Sequence, residues 1–223
     1  MDLKKMKSEA LEYNKLSDQL NSLIEQYSSK YKDYKEAYSN RKGKMVDKFI
    51  KEFKEIYTKL DFEIKESKRY YNTVNEIYIE YIADLQSLEF QLVISAEPNG
   101  NYDGEIYKSI RFLQTKPQSI NVEIIPNICE FKIDFSLSRK KDGIIIDKYS
   151  RDNISVLNDI KEHIKETRFT IESMKLAYNI IDESKNVLEK SLEEVNKRDF
   201  IGVIKINEEN IDIECLQNLI DVL

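Results

Sequence analysis

Residues 45–87 read MVDKFIKEFKEIYTKLDFEIKESKRYYNTVNEIYIEYIADLQS. Val46, Phe49, Phe53, Ile56, Leu60, Ile64, Tyr71, Val74, Tyr78, Tyr81 and Leu85 recur in steps of three, four or seven. Apolar residues on such a seven-residue repeat mark one narrow stripe of an α-helix that supercoils against another helix. The spacing therefore predicts a helical rod over 45–87.

Two further tracts carry the same signature. In residues 3–39, Met6, Ala10, Tyr13, Leu20, Ile24, Tyr27, Tyr31, Tyr34 and Tyr38 form a stripe, and Gly43 then suits a helix end or tight turn, although a straight helix through it would cost only about 1 kcal/mol. In 153–197 the stripe is Leu157, Ile160, Ile164, Ile171, Met174, Tyr178, Ile181, Leu188, Leu192 and Val195, with Thr167 and Lys185 as polar interruptions. The rods at 45–87 and 153–197 would each be roughly 65 Å long at 1.5 Å per residue. Their matched lengths predict antiparallel pairing, with the 172–195 stripe packed on the 45–87 stripe.

Between these rods the texture changes. LEFQLVISA (88–96) reads as a strand or the end of the rod, and GEIYKSIRFLQ (104–114) places Ile106, Ile110 and Leu113 on one helical face. SINVEII (119–125) and CEFKIDFSL (129–137) alternate as strands do. RKKDG then closes a hairpin into IIIDKY (144–149). Residues 200–206 suggest one more strand, and 211–222 a short helix. The expected fold is mainly α: a long antiparallel coiled coil or three-helix elongated bundle with a small α/β insert holding an antiparallel sheet. The divisions are 1–87 with helices at 3–39 and 45–87, the insert at 88–150, a returning helix at 151–197, and a strand plus short helix at 198–223.

Bulk properties narrow the function classes. Charged residues make up 34% of the chain, and only 5 Gly and 3 Pro punctuate it, which fits long surface-rich elements. The net charge of −6 opposes a large nucleic-acid or anionic-lipid field. No apolar run approaches the roughly 18 residues of a membrane span. The start lacks the apolar stretch of a signal peptide. Two cysteines, Cys129 and Cys215, make neither a disulfide framework nor a zinc motif. A cytoplasmic protein is expected.

The residues give little sign of catalysis. The lone histidine, His163, shares a helical face with Asp159 and Glu166, a pattern ordinary for a solvated flank. Adjacent acidic pairs such as Asp182 and Glu183 diverge on a helix and do not converge on an ion. PNGNYDG (98–104) lacks the Gly-Lys-Ser/Thr of a phosphate loop, and Glu105 follows it. No enzyme activity, cofactor or metal is expected.

Two surfaces remain. Ten of the 14 tyrosines lie in the first two rods, and Tyr27, Tyr31, Tyr34 and Tyr38 make a stripe of their own. Tyrosine is favoured at interfaces, so these four are the candidate partner-binding residues. The expected function is a non-enzymatic scaffold that spaces and presents protein-binding surfaces and self-associates as a homodimer through the first rod. The alternative partner is nucleic acid, held as a segregation or regulatory protein would hold it, with Arg139, Lys140 and Lys141 at the hairpin tip touching phosphates. Such binding needs several phosphate contacts, which one three-residue cluster supplies poorly.

Overall fold

The computed structural model describes residues 3–71, 75–98, 105–128, 130–131, 136–140, 143–147, 153–166 and 169–223. The elements in chain order are α1 (Leu3–Lys59), β1 (Glu63–Tyr71), β2 (Glu76–Leu85), β3 (Leu88–Pro98), β4 (Glu105–Lys116), β5 (Ile120–Pro126), β6 (Ser136–Lys140) and β7 (Gly143–Asp147). They continue with α2 (Asn153–Lys165), α3 (Ile171–Lys197), β8 (Gly202–Ile206), β9 (Glu209–Ile213) and α4 (Leu216–Val222). The chain divides into two compact units, each assembled from separated segments.

The first unit joins residues 1–36 to 130–194. Here the early part of α1 lies beside α3, and both run in the same direction. Glu12 meets Lys175 at 2.7 Å, Gln26 meets Lys185 at 3.2 Å, and Lys30 meets Glu189 at 3.9 Å, so partners climb together along both helices. The shorter α2 runs the opposite way, with Lys161 near Glu25 at 3.4 Å and the Tyr13 hydroxyl donating to the Ile164 carbonyl at 3.3 Å. Leu20, Ile24 and Tyr27 of α1 are buried, as are Leu157, Ile160 and Ile164 of α2 and Met174, Ile181 and Leu188 of α3. Thr170 starts α3 as an N-cap, its hydroxyl accepting the Ser173 N–H at 3.1 Å. β6 and β7 pair antiparallel with Lys140 opposite Gly143, as the hairpin signal implied. The turn itself and most of 129–135 lie outside the described residues.

The second unit joins residues 37–129 to 195–223. Among the described residues it holds a seven-stranded antiparallel sheet ordered β1-β2-β3-β4-β5-β8-β9. β1 to β5 form a meander, and the β8–β9 hairpin attaches to β5 with Ile125 opposite Val203. One face buries Ile77, Ile79, Tyr81 and Ala83 of β2 with Leu92, Ile94 and Ala96 of β3 and Ile110 and Phe112 of β4. The last turns of α1 cover it. Tyr57 packs on Phe62 and Phe90 at ring distances of 5.1 and 4.9 Å, and Phe53 stacks beside Tyr57 at 4.7 Å. Gly202 of β8 admits this helix closely, since a Cβ there would sit 2.6 Å from Ile124 and 3.1 Å from Phe49.

The expectation of a mainly α coiled coil or helical bundle is overturned. The chain is an α+β protein whose largest element is the sheet. The rod expected over 45–87 is helical only to Lys59, and Glu63–Tyr71 and Glu76–Leu85 form β1 and β2. Val74 aside, its later seam residues serve a two-residue period instead, because Ile77, Ile79, Tyr81 and Ala83 alternate inward while Tyr78, Glu80 and Ile82 point to the other face. Dense β-branched and aromatic side chains favour this pleated surface over a helix. The helix expected at 104–114 is β4 for the same reason. Nor do two matched rods pair antiparallel: the third tract breaks into α2 and α3, and α3 lies parallel to early α1. Gly43 does not end a helix; α1 continues through it. No helix among the described residues is long and apolar enough to cross a membrane.

Candidate protein-binding face

The sheet has a second face, and its side chains follow directly from the register. Across β1 and β2, Glu63, Lys65, Ser67, Arg69 and Tyr71 stand opposite Asp84, Ile82, Glu80, Tyr78 and Glu76. Ser95, Val93, Gln91 and Glu89 of β3 continue these rows. Ser109, Arg111, Leu113 and Lys116 of β4 follow, and Glu123 and Asn121 of β5 complete them. Where the α1-covered face is apolar, this one is mostly charged and polar.

Neighbouring charges compensate each other across the strands. Lys65 lies 3.2 Å from Glu63 and 3.4 Å from Asp84, and Arg69 lies 3.5 Å from Glu80. The Ser67 hydroxyl donates to the same Glu80 carboxylate at 2.9 Å. Lys108 bridges Glu76 at 3.0 Å and Glu97 at 2.5 Å. Glu89 accepts from Thr115 at 2.6 Å, from Lys116 at 2.9 Å and from Gln91 at 2.9 Å. These donors stabilise its charged form and hold its carboxyl at about 2. Hydrogen bonds to Glu63 and Asp84 raise Lys65, and those to Glu97 and Glu76 raise Lys108.

Aromatic rings punctuate the charged rows. Tyr71 is 45% exposed and meets Tyr78 edge-on at 5.3 Å. The Tyr78 hydroxyl donates to Glu76 at 2.7 Å, which raises the phenol and lowers the carboxyl. Toward β5 the face ends in Ile125, which is 50% exposed. These side chains meet other residues of the sheet. The face is thus a layer of mutually paired charges, with Tyr71, Tyr78 and a few apolar side chains set among them.

The residues singled out in the sequence lie elsewhere. Tyr27 and Tyr34 are fully buried in the three-helix unit, and Tyr31 is half-buried with its ring stacked on Tyr27 at 6.1 Å. The Tyr34 hydroxyl accepts the Phe131 N–H at 2.6 Å. Tyr38 is buried in the sheet unit, edge-on to Phe200 at 5.1 Å, and donates to the Ile128 carbonyl at 3.4 Å. Arg139 and Lys140 occupy β6 opposite Ile144 and Gly143, while Lys141 lies outside the described residues. His163 sits on α2 edge-on to Phe169 at 6.3 Å, with Nδ1 4.0 Å from Glu166. Asp159 is exposed on the same helix. Among the described residues no cluster of His, Cys, Asp or Glu is placed to hold a metal ion. The Cys215 thiol contacts the Asn218 amide oxygen at 3.1 Å at the start of α4, and Cys129 lies outside the described residues.

The sequence does not reveal the open sheet face, because β1 and β2 fall within the expected rod and β4 within an expected helix. The alternation of EIYIEYIADL was the available signal, with Glu76, Tyr78, Glu80 and Ile82 on one side. No protein-family model, curated protein or solved structure matches the chain.

Proposed function

We propose that the chain is a non-enzymatic interaction protein that presents the open face of its sheet to a protein partner and also associates with a second copy of itself. The observation that carries this reading is the face itself: a broad, ordered, mixed-charge surface with Tyr71 and Ile125 exposed on it. Its side chains are already held by their neighbours, so a partner need not freeze many rotamers, and that lowers the entropic cost of binding. Each of Lys65, Arg69, Lys108 and Lys116 has an acidic neighbour, which leaves little net field for phosphate and favours protein over nucleic acid. No cofactor belongs to this reading, and a cytoplasmic setting is proposed with it, since two widely separated cysteines suggest no secreted framework.

A photo-reactive amino acid installed at Tyr71 tests the idea in the native cell. The expected result is a discrete cross-linked protein that is lost when Arg111 is changed to glutamate. The same probe at Lys51, exposed on α1, serves as the control. Equal labelling from both positions, or none from Tyr71, would remove the proposal.

A further inference from the structure

We propose that two copies join edge to edge through β1, antiparallel and centred on Ser67, so that their sheets become continuous. This deepens the self-association proposed above and rests on it. The edge, rather than the open face, carries the argument.

β1 ends the strand order, so among the described residues it has one neighbouring strand, β2. Edges are ordinarily protected by being short, bulged, broken by proline or covered. β1 has none of the first three protections. It is nine residues long, contains no Pro or Gly, and pairs with β2 in unbroken register from Glu63 to Tyr71. Its burial pattern is exposed at seven of those nine positions, including Tyr70 at 54%. The opposite edge, β9, is only five residues long and runs into α4, where Leu216 and Leu219 are buried.

The sequence of β1 is complementary to itself in one register. A twofold axis through Ser67 sets Glu66 opposite the copy's Lys68 and Ile64 opposite the copy's Tyr70. On that side of the sheet Glu66, which also pairs with Lys54 of its own α1 at 3.1 Å, gains a second opposite charge, and the apolar groups meet each other. On the other side Lys65 faces Arg69, but Glu63, Asp84 and Glu80 already neutralise both. Moving the axis to Glu66 opposes that glutamate to itself and Ile64 to Lys68. Moving it to Lys68 opposes that lysine to itself and Glu66 to Tyr70. Charges on an edge usually deter pairing. Here their order admits one strand, its own copy, and opposite charges placed directly across a pair are favourable. Pairing along the whole of β1 would supply about eight to ten backbone hydrogen bonds.

Sedimentation of the full chain across micromolar concentrations tests this, with circular dichroism confirming each fold. The wild type is expected to dimerise, and Glu66→Lys or Lys68→Glu each to weaken dimerisation about tenfold, because two central pairs turn repulsive. An equimolar mixture of the two variants should recover wild-type affinity, since both central pairs become complementary in the heterodimer. Should either variant fail to fold, Ser67→Cys replaces it: this residue faces its own copy and should cross-link under mild oxidation, whereas Lys51→Cys should not. A monomeric wild type overturns both the pairing and self-association. A dimer that ignores both charge reversals, or that fails to cross-link at 67, overturns the β1 pairing and leaves self-association standing through another surface.

Discussion

A methyl group at position 202 has nowhere to go: its carbon would lie 2.6 Å from Ile124 of β5 and 3.1 Å from Phe49 of α1. Gly202→Ala should therefore destabilise the protein by about 1–3 kcal/mol, as overpacked cores do, with chemical denaturation as the measure. Glu208 makes the opposite case. With Asn207 at φ 51° and Glu208 at φ 71°, the two-residue β8–β9 turn holds both positions left-handed, which suits asparagine and burdens glutamate. Glu208→Gly should raise the melting temperature, with a gain of about 1 kcal/mol. Glu89 brings a pH dependence. Its carboxyl titrates at about 2 when folded against 4.5 normally, so its contribution is fully present above 4.5 and is lost as pH falls toward 2. Glu89→Gln should flatten the decline of stability over that interval in an acid titration.

Among the elements, α1 is the most legible and the sheet the least. The stripe of Leu20, Ile24 and Tyr27, continued by Phe49 and Phe53, is buried as its period implies. Gly43 left the continuity of the helix open, and its Cβ would meet only the edge of Tyr107 at an ordinary 3.7 Å. Gly43→Ala should therefore stabilise the protein by about 0.5–1 kcal/mol in a thermal melt. Residues 63–85 were harder because periods of 3.5 and 2 both visit Tyr71, Tyr81 and Leu85, so a seam search finds matches in a strand pair. Branched and aromatic residues at Ile77, Tyr78, Ile79, Tyr81 and Ile82 break the tie. The open sheet face escapes the sequence reading with them, since its rows exist only once β1 to β5 lie side by side. Burial of the tyrosine stripe was illegible for another reason: periodicity marks which residues share a side, but not whether that side meets the chain's own core or a partner.

For the whole molecule, the meeting of β5 with β8 decides what can stand alone. Residues 128 and 199 come close there, because the Asn127 N–H donates to the Ile201 carbonyl at 3.0 Å and the Ile201 N–H to the Asn127 side chain at 3.3 Å. A chain made of residues 37–128 and 199–223 joined by a short Asn-Gly turn should fold by itself with a cooperative melt and a sheet-rich circular dichroism spectrum. Aggregation or a featureless melt would show that the sheet unit depends on the removed segments. The same junction governs the chain as it leaves the ribosome. At about 5–20 residues per second, β5 waits roughly 4–15 s for β8 to emerge. Through that interval the outer rim of β5 is a template for any passing strand, guarded mainly by Pro126, which has no amide proton to offer. Slower translation across 130–194 would lengthen the wait and favour mispaired nascent chains, while a chaperone shielding that rim would matter most during those seconds.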